Sequence, residues 1–463
     1  MHRFLVSAAH KSSGKTTLSI GLAAALQRRG LTVQPFKKGP DYIDPLWLGL
    51  AAKRGCRNLD FFLSPHDEIH AQFAHGHDAD VCLVEGNMGL YDGLSLDGSN
   101  SNAALARLLD LPVILVLDTR GMTRGIAPLI LGYQAFDRDL RIAGVILNRL
   151  GGPRHEEKLR TIIEHYTDVE VIGAVQEDSH LALVERHLGL MPANEAAEAE
   201  HLIDSITERV ASQVDLDRLL AITATSVPLP VPPTGAASSE PPLRIAIAQD
   251  AAFGFYYTDD LDALVAAGAE LVPFNTLKDR CLPACDALFI GGGFPESFLD
   301  ELSANTEMRA EIRSAIERGL PTYAECGGLM YLANSISWQG KTQPMVGIID
   351  GVVTMHKKPV GRGYVILEPM SNHPWHPARQ PADNADPTPV HAHEFHYSDL
   401  GALPDNTRYA YAVKRGHGVD GKHDGIVLHN LLASYAHLRA TAGCDWPAQF
   451  VQFARACRAN TNS

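Results

Sequence analysis

Short runs of β-branched and apolar residues alternate with longer amphipathic stretches over most of the chain. Phe4–Ala8, Val33–Phe36, Val81–Val84, Val113–Leu117 and Ala143–Leu147 read as strands. Helical patterns lie between several of them, such as Thr16–Arg29 and Asn102–Leu109. Strand–helix alternation predicts a mainly parallel α/β sheet covered on both faces. The pattern breaks at 227–242, VPLPVPPTGAASSEPP. Proline fixes φ and removes a backbone donor, so this stretch is expected to be an extended linker. Beyond it the alternation restarts. Leu243–Ala248, Ala287–Ile290 and Pro321–Ala324 read as strands, and Asp259–Ala267 and Met308–Arg318 as helices. Residues 340–463 are richer in strand and turn signals. The expected organisation is a domain at 1–226, a linker at 227–242 and a second α/β domain at 243–463.

Composition narrows the function classes. A chain of 463 residues suits at least two domains. The net charge of −14 argues against a general nucleic-acid binder, which needs a basic surface. Local lysines and arginines can still build a pocket for a small anion. The seven cysteines are odd in number and lack paired CxxC knuckles. Neither a disulfide framework nor a structural zinc site is expected, and a reducing cytoplasm fits. No segment reads as a signal peptide or has the length to span a bilayer. The longest apolar run, Leu111–Leu117, is followed by Asp118 and reads as a buried strand.

The first chemical signal is Ala9-His10-Lys11-Ser12-Ser13-Gly14-Lys15-Thr16-Thr17, after an expected strand and opening an expected helix. That is the context a phosphate-binding loop requires, whose backbone N–H groups cradle phosphate oxygens; a coincidental Gly-Lys-Thr at a helix start is the alternative. Ser12, Ser13, Gly14, Lys15, Thr16 and Thr17 are therefore the expected ATP contacts. Lys15 would meet the β/γ-phosphates and Thr16 would hold Mg²⁺. Asn148 ends another strand and could read the adenine edge, although a turn role is the simpler alternative. Pro45 disfavours the α region for Asp44, so Pro35–Pro45 is expected to be a tight loop rather than a helix, presenting Asp41 and Asp44. Glu85 ends the strand Val81–Val84, where open α/β sheets bind ligands, and could contact Mg²⁺. Each acid alone reads as a capping carboxylate; the combination favours a metal–nucleotide centre.

The second signal is Leu320-Pro321-Thr322-Tyr323-Ala324-Glu325-Cys326-Gly327-Gly328-Leu329, which has the form of a nucleophile elbow. A helix N-terminus behind Cys326 raises its thiolate fraction. The N–H of Gly327, with Gly292 or Gly293 of the Gly-Gly-Gly turn, could form an oxyanion hole. A buried structural cysteine is the alternative. A base is needed, and His437 is the expected one, with His393 and His396 as competitors. His-Glu-Phe-His misses the HExxH zinc spacing by one residue.

These motifs, in this order, resemble the cobyrinic acid a,c-diamide synthase family over nearly the whole chain. The most specific stretches are VQPFKKGPDYIDP, RNLD at Arg57–Asp60, VEGNMGLYDG at Val84–Gly93, AGVILNR at Ala143–Arg149, AELVPFNTL at Ala269–Leu277, GLPTYAECGGLMYL at Gly319–Leu332 and HEFHYS. The resemblance implies a dethiobiotin-synthetase-like ATP domain joined to a class I glutamine amidotransferase domain of flavodoxin-like fold. It implies ATP, Mg²⁺, L-glutamine and an anionic tetrapyrrole as ligands, with Cys326 and His437 releasing ammonia. Asp41, Asp44 and Glu85 would belong to the metal, phosphate and substrate-activating site. Lys37, Asp41, Tyr42, Asp44 and Tyr91 would contact the substrate. A homodimer is compatible with this reading.

The sequence departs from the family pattern at three points. Ala9 replaces the first loop glycine, the motif around His437 ends in Arg439, and no acidic residue follows His437 at triad spacing. A Cys–His pair is therefore expected. A sirohaem-amidating branch and nickel-sirohydrochlorin amidation are the alternatives within this chemistry. A partition-type ATPase switch is the alternative of another class; Lys11 lies one position later than its signature lysine. A metal carrier for tetrapyrroles is a further alternative.

Overall fold

The computed structural model describes residues 1–178, 185–186, 189–193, 199–232, 241–375 and 388–461. Two compact units divide at Pro233/Thr234. Of the expected linker, residues 233–240 lie outside the described residues.

The first unit holds a seven-stranded sheet: β1 (His2–Ala8), β2 (Val33–Lys38), β3 (Arg57–Leu59), β4 (Val81–Glu85), β5 (Val113–Asp118), β6 (Ile142–Leu150) and β7 (Val171–Gln176). The strand order is β3-β2-β4-β1-β5-β6-β7, and each neighbouring pair is parallel. Alternate residues of β1 face opposite sides, as strand geometry requires. Phe4, Val6 and Ala8 join one apolar cluster, with helices Lys15–Arg28 and Ala199–Gln213. Leu5 joins the other, with helices Asn102–Leu108, Ile126–Phe136 and Pro153–Tyr166. Burial on both faces explains why these strands read as apolar runs rather than as alternating ones. The chain reverses direction across the sheet at β1 and β4. Their carboxyl ends therefore flank the crevice where such sheets bind ligands.

One expectation fails locally. Residues 43–52 form the helix Ile43–Ala52, with Asp44 and Pro45 in its first turn. A proline in the first turn has no intrahelical hydrogen bond to lose, so it is tolerated there despite its effect on Asp44. Asp41 Oδ1 accepts from the N–H groups of Ile43 at 2.9 Å and Asp44 at 3.2 Å, and so holds the helix start.

The second unit centres on a nine-stranded sheet. Its order is Ala269–Phe274, Leu243–Ala248, Ala287–Ile290, Thr322–Glu325, Leu431–Ser434, His423–Leu428, Arg408–Arg415, Gly361–Pro369, Val390–His396. The first five strands pair in parallel and the rest antiparallel. A four-stranded sheet and a short pairing of Phe253–Phe255 with Gly292–Gly293 complete the unit. No described helix is long and apolar enough to cross a membrane.

Candidate active site

In the first unit the loop after β1 turns sharply into helix Lys15–Arg28. Gly14 sits at φ 88° as its cap, a left-handed conformation that suits glycine. A Cβ there would meet Asn148 Nδ2 at 2.2 Å. Asn148 donates that amide to the Ser13 carbonyl at 2.9 Å, so its amide braces the phosphate loop. A cavity of about 260 Å³ beside it is lined by Gly14, Thr17, Asn148, Arg149, Gln176 and Glu177, among others. Arg149, at φ 59°, donates to the Ser12 carbonyl and to Asp118, both at 2.8 Å. Neither Arg149 nor Asp118 was given a role from sequence. The sole hint was their position at the ends of adjacent parallel strands.

Lys15 is buried and donates to the Met88 carbonyl at 2.6 Å. Burial pushes its pKa down to about 8, against the opposing pull of Glu85. Thr16 Oγ1 donates to Glu85 at 2.7 Å and to Asp44 at 3.3 Å. Lys37, from the end of β2, lies among the carboxylates. It pairs with Asp44, with Glu85 at 3.0 Å and with Asp41 at 3.8 Å. Glu85 is fully buried, and burial raises its pKa in spite of Lys37. Its Oε2 has no hydrogen-bond partner. Asn58, in the Arg57–Asp60 stretch, donates to the carbonyls of Gly39 and Asp41 at 2.8 Å and so fixes the loop that carries these acids.

Among the described residues, no three His, Cys, Asp or Glu side chains form a ready metal cage. Mg²⁺ does not require one, since it is commonly held by one or two carboxylates, water and phosphate. An unpartnered buried carboxylate oxygen beside the Thr16 hydroxyl and Asp44 is a hard-oxygen donor set that fits it. Tyr42 is buried at the start of helix Ile43–Ala52. Tyr91 donates its hydroxyl to the Tyr133 carbonyl at 2.6 Å, and Tyr133 donates to the Ala9 carbonyl at 2.6 Å. Any substrate contact by Tyr91 would therefore use its ring.

In the second unit the carboxyl ends of two adjacent parallel strands bring the reactive groups together. Cys326 follows strand Thr322–Glu325, and its N–H donates to the Ser434 carbonyl at 2.7 Å. It adopts φ 46°, ψ −101°, a strained conformation for a non-glycine residue. His437 stands three residues beyond the neighbouring strand, Leu431–Ser434. Buried Asp424 holds the intervening turn, accepting from Ser434 Oγ at 2.7 Å and from the N–H groups of Tyr435 and Ala436 at 3.0 and 2.9 Å. Burial opposes a charge on His437, but hydrogen bonds to Cys326 and Glu325 outweigh it and push its pKa up to about 10.

The glycines explain themselves sterically. A Cβ on Gly292 would meet His437 Cε1 at 2.6 Å. One on Gly327 would lie 2.9 Å from Gly293 N, and one on Gly328 would lie 2.1 Å from the Ile290 carbonyl oxygen. The Gly-Gly-Gly turn is thereby packed directly against the elbow. His393 and His396 are placed otherwise. His393 exchanges backbone hydrogen bonds with His437, and burial followed by the His437 charge pushes its own pKa down to about 3. His396 stacks on Tyr435 at 3.9 Å and shares a hydrogen bond with the Ser398 carbonyl at 2.7 Å.

One group differs from expectation. A bare Cys–His pair was expected, yet Glu325 Oε2 lies 3.2 Å from His437 Nδ1. Glu325 directly precedes the thiol and is 112 residues from the histidine. A search for an acid after His437 misses it. The available signal was a carboxylate ending the otherwise uncharged strand Thr322–Glu325.

A nucleotide-binding module joined to a glutamine amidotransferase module is the class that this architecture defines. Residues 5–190 match the CobQ/CobB/MinD/ParA nucleotide binding domain, and residues 244–443 the CobB/CobQ-like glutamine amidotransferase domain. Over 461 residues the chain is 46% identical to the cobyrinate a,c-diamide synthase of Magnetococcus marinus, covering 98% of this chain and 97% of that relative. It is 41% identical to the enzyme of the same name from Methanosarcina acetivorans, covering 99% and 96%. Identity is also 41% to one from Listeria monocytogenes, covering 95% and 96%. The chain belongs to the cobyrinate a,c-diamide synthase family, and it is an amidating ligase with a glutamine amidotransferase domain.

Proposed function

We propose that this chain converts the a and c carboxylates of a cobyrinate- or hydrogenobyrinate-type tetrapyrrole to amides, using glutamine and ATP. The observation that carries the proposal is the strained Cys326 at the end of one strand with His437 just beyond its parallel neighbour, in a chain that also carries a phosphate loop. The Cys326 thiol passes its proton to His437 as the sulfur attacks the side-chain amide carbon of glutamine, and the Gly327 and Gly293 or Gly292 backbone stabilises the oxyanion. His437 gives its proton to the departing nitrogen, so ammonia leaves and a thioester remains. Water, deprotonated by the same imidazole, then releases glutamate and the free thiol.

In the first unit the loop of residues 12–17 holds ATP through its backbone N–H groups, and Lys15 meets the β/γ-phosphates. Mg²⁺ bound by Thr16 and Glu85, with Asp41 nearby, would neutralise phosphate charge. The substrate carboxylate takes the γ-phosphoryl group and ADP leaves. This activation is needed because oxide is a poor leaving group from a carboxylate. Ammonia attacks the acyl phosphate and phosphate departs, leaving the amide. Lys37, Asp44, Tyr42 and Tyr91 line the acceptor side in this reading.

The test is Cys326→Ser in the full chain. Glutamine-driven amidation should be lost, while amidation with added ammonium salt persists. Loss of both would contradict separate sites. Cobyrinate, hydrogenobyrinate, sirohaem and nickel-sirohydrochlorin, each supplied with ATP, Mg²⁺ and glutamine and followed by mass spectrometry, decide the acceptor. Amidation of the last two alone would overturn the substrate assigned here.

A further inference from the structure

We infer that Glu325 is the positioning residue of the ammonia-releasing site, holding the His437 imidazole from a strand position immediately before the nucleophile. The inference rests on the proposed glutaminase role of Cys326 and His437 and adds the group that orients the base. Three observations carry it. Glu325 Oε2 is 3.2 Å from His437 Nδ1, and both side chains are buried. The other oxygen, Oε1, is fixed independently: it accepts the Tyr323 hydroxyl at 2.6 Å and the Leu438 N–H at 2.9 Å. Position 439, two residues beyond the base, is a buried arginine paired with Asp259 at 3.0 Å, so the segment after His437 offers no carboxylate there.

Strand geometry explains why the residue before the nucleophile can reach the base. Side chains alternate across a strand, so Tyr323 and Glu325 share one face. Cys326 leaves the strand at the elbow, and its N–H on the Ser434 carbonyl ties the turn to the neighbouring strand that leads to His437. The carboxylate thus approaches Nδ1, which leaves Nε2 for the sulfur. Two fixed donors on Oε1 prevent the carboxylate from rotating away. A buried carboxylate in this position sets the tautomer and stabilises the imidazolium formed during proton transfer.

The test measures glutaminase turnover of the full chain against pH for wild type, Cys326→Ser, Glu325→Gln and Glu325→Asp, with the thermal midpoint of each. Glu325→Gln should lower kcat by about 10²- to 10⁴-fold, the range typical of removing an orienting carboxylate, with KM changed by less than about twofold. The alkaline limb of the profile should move to lower pH, because the imidazolium loses its anionic partner. Glu325→Asp, which keeps the charge but draws it back by one methylene, should show a smaller loss and a smaller shift. If Glu325→Gln does not fold, Glu325→Asp alone decides: an unshifted limb overturns the inference. A merely structural role predicts lower thermal midpoints with wild-type kcat and limb, and that result also overturns it. Failure of the underlying glutaminase reading looks different, since Cys326→Ser would then still hydrolyse glutamine.

Discussion

Lys15 Nζ donates to the Met88 carbonyl at 2.6 Å, so the lysine of the phosphate loop is tied to the segment that follows Glu85. The arrangement keeps a buried ammonium satisfied, but its pKa still falls to about 8. An unfolded lysine titrates near 10.4, so between these values the unfolded chain binds more protons. Lys15 therefore favours stability above about pH 10.4, and that contribution is lost as pH falls through 8.

Bound triphosphate should reverse the shift, because nearby negative charge favours the ammonium. ATP binding at pH 8 should then take up about half a proton, the deficit of a group sitting at its own pKa. Calorimetry in buffers of different ionisation enthalpy measures this directly. Lys15→Met should abolish the uptake and weaken ATP binding by about 10²-fold, as expected for a charged hydrogen bond worth up to about 3 kcal/mol. Equal uptake in the variant would assign the proton to another group.

Gly292 gives a second prediction. Its missing Cβ would lie 2.6 Å from His437 Cε1. Gly292→Ala must therefore push the imidazole aside or shift the turn, an overpacking cost of about 1–3 kcal/mol. Displacement of a reacting group by about 1 Å is enough to cost on the order of 10²-fold in rate. Glutamine-driven amidation should fall by that factor while ammonium-driven amidation is kept. Comparing the two nitrogen sources in one preparation separates a local effect from general unfolding.

The sequence was most legible where the chemistry is local. The Ser12–Thr17 loop and the Cys326 elbow each occupy one continuous stretch between a strand and a helix, so spacing alone located them. The strand runs were legible because burial on both faces makes them uniformly apolar. Helix Ile43–Ala52 was not, because the proline rule that normally ends helices does not apply in a first turn. Glu325 and Asp424 were hidden for another reason. Both act on the His437 segment across strand pairings, and a register between neighbouring strands leaves no mark in the spacing of either one. Arg149 escaped because its effect comes from a positive φ that carries its side chain back over the phosphate loop.

Lys37 and its carboxylates give the third prediction. The buried ammonium pairs with Asp44, with fully buried Glu85 at 3.0 Å and with partly exposed Asp41 at 3.8 Å. Removing one member of a buried ion pair is strongly destabilising, by about 3–5 kcal/mol, because the remaining charge loses its partner. Lys37→Met should therefore lower the thermal midpoint well below that of the wild type. A divalent cation at Thr16, Asp41 and Glu85 would restore the lost positive charge. Mg²⁺ alone, without nucleotide, should then raise the midpoint of Lys37→Met more than that of the wild type, since ligand binding to the native state adds stability by mass action. Thermal denaturation of both proteins across a Mg²⁺ series makes the comparison. Equal shifts in the two proteins would place the ion elsewhere, and the assignment of Glu85 to the metal would have to be withdrawn.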